Sequence, residues 1–126
     1  MIYPQNFEQK IGFGQIRQLL TSYCLSSLGA ERVTDMSFTA NYRELMERLE
    51  QTEEFTRILG GNDDFPVQFF IDIRPSLKRI RIEGLYLDEQ ELFDLRRSLE
   101  TIRDIVRFLL RDDEGEAPAY PCLARL

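Results

Sequence analysis

The side chains able to do chemistry in this chain are carboxylates, two thiols and one cluster of cations. Paired carboxylates can divide general acid and general base work between them. They fall here at Glu47, Glu50, Glu53 and Glu54, and again from Asp88 to Glu100. Both sets recur at helical spacing on polar faces, the pattern of a solvated helix surface. Asp63-Asp64 and Asp112-Asp113-Glu114 offer oxygen ligands for a hard cation, but neither has the spacing of a calcium loop. The chain has no histidine, which removes His-based triads, His general bases and His metal ligands. Cys24 and Cys122 have no CxxC neighbour, so neither a zinc site nor a disulfide framework is expected, and free thiols suit a reducing cytoplasm. Cys24 lies beside Leu20 and Tyr23 on an apolar face with no base to activate it, and reads as a small core residue. After Gly60-Gly61 comes Asn62-Asp63-Asp64. A phosphate loop needs a Lys followed by Ser or Thr there, so the glycines read as a helix stop.

The cations form one local cluster: Arg74, Lys78, Arg79 and Arg81. On a single helix, spacings of four and three put Arg74, Lys78 and Arg81 on one side. Such a patch can meet phosphates or an acidic partner. The plainer reading is a solvated face with internal pairs to Asp72 and to the acidic helix start at Asp88. With 16 Lys and Arg against 22 Asp and Glu, the net charge is −6. The chain as a whole repels phosphate backbones, so contact with nucleic acid would need this local patch.

These groups must be positioned by helices. A length of 126 residues with 43% hydrophobic content suits one domain with its own core. No apolar run approaches the roughly 20 residues of a membrane span. Met1-Ile2-Tyr3-Pro4 lacks the basic flank and apolar stretch of a signal peptide, so no membrane partner is expected. Pro4 suits a first helical turn, with Phe7 and Ile11 on one face and Gly12 as the stop. A second helix is expected from Gly14 to Cys24 with Ile16, Leu19, Leu20 and Tyr23 inward. Ser26 or Ser27 caps a third, running through Val33 and Met36. Asn41 caps a long fourth, with Glu44 in capping-box register. Its stripe is Tyr42, Leu45, Leu49, Thr52, Thr56 and Leu59, widened by Phe55 and Ile58, and Gly60-Gly61 provides a left-handed end. Val67 to Ile71 suits a short extended segment. Pro75 restarts a helix through Leu77, Ile80 and Ile82 to Gly84.

The clearest helix follows. Asp88 is its N-cap, Glu91 completes a capping box, and Leu87 can staple onto Leu92. Its stripe is Leu92, Leu95, Leu99, Ile102, Val106 and Leu109, with Ile105 and Phe108 off it. Acids open the helix and Arg107 and Arg111 close it, as the helix dipole favours. The stripes are wider than a coiled-coil seam, so the expected fold class is all-α, an irregular helical bundle. The expected organisation is a helical core-type domain over 1–111. An acidic, Pro- and Gly-containing linker over 112–126 then runs into a further helix beginning at Cys122. A chain that stops on such a start is expected to have been cut from a longer protein.

Several stretches resemble the MutS family of mismatch-repair ATPases, and within it the second bacterial branch, which lacks the mismatch-reading domain. They are Ile2-Tyr3-Pro4, Phe7-Glu8 and Ile11-Gly12-Phe13; Cys24 through Val33; Leu49 through Phe55; Asp72-Ile73-Arg74-Pro75-Ser76-Leu77-Lys78-Arg79; and Gly84-Leu85-Tyr86-Leu87 with the helix after it. Their order and spacing carry the resemblance. It implies the start of a helical core and lever region, in a parent whose later domain binds ATP and magnesium and dimerises. Some members also carry a nuclease domain. It further implies partners acting through the parent: its remaining domains, branched or duplex DNA, or ribosomal RNA. A homodimer is a further implied partner. The chain has no Phe-x-Glu and no Gly-x-x-x-x-Gly-Lys-Ser/Thr. No catalytic, cofactor-binding or metal-binding residue is therefore carried over, and no cofactor is expected in this chain. Two roles follow. One is a non-catalytic segment that braces the parent's arm and couples it to distant ATPase domains. The other is a stand-alone helical protein–protein interaction module using the face from Leu92 to Leu109.

Overall fold

The computed structural model describes residues 6–61, 64–111 and 118–126. Over these the chain is all-α, with six α-helices, one 3-10 turn and no strand among the described residues. None of the helices is long and apolar enough to cross a membrane. The chain divides into two compact units, Met1–Ser37 and Phe38–Leu126. The first helical turn expected at Pro4 lies outside the described residues, as do Asn62, Asp63 and residues 112–117 of the expected linker.

The first unit holds α1 (Phe7–Lys10), α2 (Phe13–Tyr23) and α3 (Ser27–Asp35). α2 packs on both α1 and α3. Gly12 stands at the N-cap of α2 with φ +72°, a conformation that costs little only for glycine. Ser26 caps α3 by accepting the Gly29 N–H at 3.2 Å, as its residue type implies. Arg17 ties the unit together. Its guanidinium donates to Glu8 at 3.3 Å and to the Met36 carbonyl at 2.6 Å. The apolar side chains expected inward on α2 are open to solvent: Ile16, Leu19, Leu20 and Tyr23 are all exposed. Three short helices cannot enclose an apolar stripe, because so small a unit has too much surface for its volume.

The second unit holds α4 (Tyr42–Gly60), α5 (Arg74–Arg79), α6 (Glu89–Leu109) and the 3-10 turn Leu123–Arg125. α4 and α6 both pack on that turn. Asn41 caps α4, accepting the Glu44 N–H at 3.3 Å. The reciprocal half is absent: the Glu44 carboxylate instead takes the Thr39 hydroxyl at 3.2 Å and Arg48 at 2.6 Å. At α6 the box is complete, with Asp88 accepting from Glu91 N–H at 2.8 Å and Glu91 accepting from Asp88 N–H at 3.0 Å.

Four expectations are corrected here. Gly61 ends α4 in extended backbone (φ −87°, ψ 179°), not in the left-handed region. Val67 to Ile71 pairs with no strand; Gln68 instead accepts the Thr101 hydroxyl of α6 at 2.5 Å, and Phe69 adopts φ +54°. The helix begun near Pro75 stops at Arg79, before Ile80 and Ile82. The end of the chain is a single 3-10 turn folded back onto α4 and α6.

The inner faces of the two long helices also differ from the stripes. The buried positions are Glu54 and Ile58 in α4 and Ser98 and Thr101 in α6; Phe55, Ile105 and Phe108 beside them are half-buried, as are Leu95 and Leu109 of the α6 stripe. In α6, Ser98, Thr101 and Ile105 each precede an exposed stripe residue by one: Leu99, Ile102 and Val106. Phe55 and Ile58 stand likewise before Thr56 and Leu59. A one-residue offset rotates the buried face by about 100°. The off-stripe aromatics decide this. Phe55 meets Phe65 edge to face at 5.1 Å between centroids, and Phe65 meets Phe108 the same way at 5.3 Å. Large rings bury more area than single aliphatic side chains, so they outweigh the leucine periodicity.

Candidate interaction surface

The basic cluster is first divided by its neighbours. Asp72 accepts from the Arg74 backbone N–H at 3.1 Å and from its Nε at 2.9 Å and Nη2 at 2.8 Å. Arg79 forms an ion pair with Glu91 of α6, and the Ser76 hydroxyl donates to the same carboxylate at 2.8 Å. Because α5 ends at Arg79, Arg81 does not share a helical side with Arg74 and Lys78. Lys78 and Arg81 are exposed, and among the described residues neither forms an ion pair. The cluster is therefore half neutralised, and one of its four cations, Arg79, fastens α5 to the start of α6.

Glu91 is the fastening point. The Asp88 N–H, then Arg79, then Ser76 hold its carboxyl down at about 2, well below its ordinary 4.5. The capping box was legible in the spacing; the two further partners, 12 and 15 residues away in sequence, were not. A depressed carboxyl stabilises the fold above its unfolded value near 4.5 and loses that contribution as pH falls toward about 2. Glu91→Gln is expected to lower the urea midpoint at pH 7 and to flatten the acid limb between those two values. An unchanged acid limb in the variant would show that Glu91 does not drive it.

The other acids sort cleanly. Glu47, Glu50 and Glu53 are exposed, but Glu54 is 4% exposed. Its carboxylate accepts the Cys122 N–H at 3.0 Å and the Leu123 N–H at 2.8 Å. Burial pushes its carboxyl up, but the two backbone N–H groups outweigh burial and the net shift is down. Burial first, and then the Glu54 and Glu50 carboxylates, raise the Cys122 thiol. A thiol held protonated is a poor nucleophile. Cys24 donates to the Leu20 carbonyl at 3.3 Å at the end of α2, where it is half-buried. Among the described residues no three Cys, Asp or Glu side chains gather to hold a metal ion.

The largest unsatisfied feature is apolar. On α6, Leu92 is 59% exposed, Leu99 and Ile102 are each 55% exposed, and Val106 is 47% exposed. Leu92, Phe93, Leu95 and Leu99 line an open depression of about 490 Å³, edged by Glu89 and Arg96. So shallow and apolar a surface orients no substrate, but it is the kind that another protein segment covers.

No family profile matches the chain, and no solved structure matches it. Curated proteins do. The chain is 30% identical over 114 residues to endonuclease MutS2 of Alkaliphilus oremlandii, covering 90% of this chain and 14% of that protein. It is 34% identical over 115 residues to endonuclease MutS2 of Latilactobacillus sakei, covering 86% of this chain and 14% of that one. With endonuclease MutS2 of a Geobacillus strain it shares 30% identity over 108 residues, 84% of this chain. This all-α chain belongs to the MutS family. Within that family it matches a segment of MutS2 proteins, spanning about one-seventh of their length.

Proposed function

We propose that this chain is a non-catalytic helical packing segment of a MutS2-type protein, one that braces the parent's arm and couples it to distant domains. The observation that carries this reading is the open stripe of α6 in a chain that spans 14% of its relatives. Roughly half of Leu92, Leu99, Ile102 and Val106 stays in water. In the parent, the remaining domains cover it. The endonuclease activity for which the relatives are named, together with ATP and magnesium binding, resides in other parts of the parent. Contact with DNA or ribosomal RNA is likewise made through those parts. Leu99→Glu with Ile102→Glu, placed both in the 126-residue chain and in a whole MutS2-type protein, tests the reading. The substitutions should harm the whole protein far more than the short chain, and equal effects would sink the proposal.

The basic turn is assigned to internal bracing, because Arg74 and Arg79 already hold Asp72 and Glu91. Lys78→Glu with Arg81→Glu should therefore leave duplex-DNA affinity of the whole protein within about twofold. If both cations touched phosphates, the slope of log affinity against log salt would fall by about 2. That result would restore the patch as a nucleic-acid contact.

A further inference from the structure

Glu54 is a buried carboxylate with no catalytic partner, and its hydrogen bonds reach 68 and 69 residues along the chain. It receives the N–H of Cys122, the cap residue of the 3-10 turn, shared between both its oxygens, and the N–H of Leu123, the first residue of that turn. N–H groups at a helical start have no partner within their own turn. Ordinarily a residue just before the turn satisfies them. Here a side chain from the middle of α4 does so. The turn is held on its other side too. Leu123 is buried, and the Tyr120 ring stacks on Phe108 of α6 at 5.9 Å with planes 8° apart. Phe108 continues through Phe65 to Phe55 of α4.

We propose that residues 118–126 form a strap that sets the spacing of α4 and α6, with Glu54 as its anchor on one helix and Phe108 as its anchor on the other. The reasoning is one of necessity at the anchor. Without the two N–H groups, a carboxylate only 4% exposed would lose its backbone donors, a costly state that water must relieve. The strap's departure must therefore wet the inner face of α4 and loosen the aromatic row from Phe55 to Phe108. Docking of the strap and the pairing of the helices are one event. The anchor is charge-assisted and geometrically specific, whereas the ring contacts alone are not directional enough to fix a spacing. This goes beyond the packing role proposed above and does not depend on it, since both helices and the strap lie in this chain.

Proton NMR on the 126-residue chain tests the strap. The wild-type Leu123 amide should exchange slowly, and ring-to-ring Overhauser contacts should connect Phe55, Phe65 and Phe108. Glu54→Gln should speed exchange at Leu123 by about tenfold to a hundredfold, the loss expected for a charge-assisted hydrogen bond. It should also weaken the ring contacts while amides inside α4 and α6 stay protected. Leu123→Ala, which leaves the carboxylate in place, should weaken the same ring contacts. Unchanged ring contacts in either variant overturn the proposal, as does an unprotected Leu123 amide in the wild type. If Glu54→Gln unfolds the chain, Leu123→Ala decides by the same criterion. Loss of both helices in the two variants also counts against a strap, which sets spacing and not helix formation.

Discussion

Glutamates at Leu99 and Ile102 are expected to lower the stability of the isolated chain by no more than about 1 kcal/mol, the scale of exposed substitutions. Both sites are more than half exposed, so the new charges stay solvated. In a whole MutS2-type protein the same pair should cost several kcal/mol, roughly 3 or more. On the proposed reading the stripe is covered there, and a buried, unpaired charge must be desolvated. The readouts are the urea midpoint of each protein and the protease resistance of the whole one. The double variant separates the two roles open for the α6 face. A face covered within the parent gives the large effect in the whole protein. A face that serves a stand-alone module gives a small effect on stability everywhere and a loss only of partner binding. Self-association makes a third pattern: the wild-type chain would sediment as a dimer and the double variant as a monomer.

Ile58→Ala should destabilise the chain by about 2–5 kcal/mol, the range for removing a large aliphatic side chain from a packed site. Ile58 is 1% exposed. Among the described residues the only other apolar side chain so fully enclosed is Leu123. The core is thin, so little surrounding mass can relax into the cavity and little reserve exists to absorb the loss. Small domains carry total stabilities of about 5–15 kcal/mol. The variant should therefore show a much lower urea midpoint, with an unfolded fraction visible by far-ultraviolet dichroism at room temperature. Leu59→Ala, one position on and 68% exposed, is the control and should change little. Equal effects at the two positions would mean that α4 turns its leucine stripe inward after all. The offset between the stripe and the buried face would then be wrong.

That offset marks where local pattern stopped being informative. The two long helices, the caps at Ser26, Asn41 and Asp88, and the box between Asp88 and Glu91 were legible, because capping involves residues only three apart. Which face of a helix is buried was not, because a period of 3.6 defines stripes without saying what lies opposite them. In α6 the leucine stripe and the Ser98–Thr101–Phe108 face compete. The second wins because the Gln68 carbonyl can approach Thr101 and the Phe65 ring can approach Phe108. Those partners are 33 and 43 residues distant, beyond any local window. The basic cluster was legible in part. Its four cations were plain, and pairing with Asp72 and the start of α6 was the plainer expectation. The helix end at Arg79 that removes Arg81 from the shared side came only with the fold.

The all-α class and the absence of histidine chemistry were already determined by composition and periodicity alone. The resemblance to the MutS family came separately, from the residues and order of its segments. These properties are additive along the chain, each set by a few neighbouring residues. The tertiary structure decided three things instead: the buried role of Glu54, the Glu91 hub, and the outward turn of the α6 stripe. Each depends on groups far apart in sequence meeting in space. A carboxylate or a leucine acquires its role only from what surrounds it there. Glu50, Glu53 and Glu54 look alike as letters on one helix. The Cys122 and Leu123 N–H groups single out Glu54, because only a group shut away from water must have its hydrogen bonds supplied by the protein.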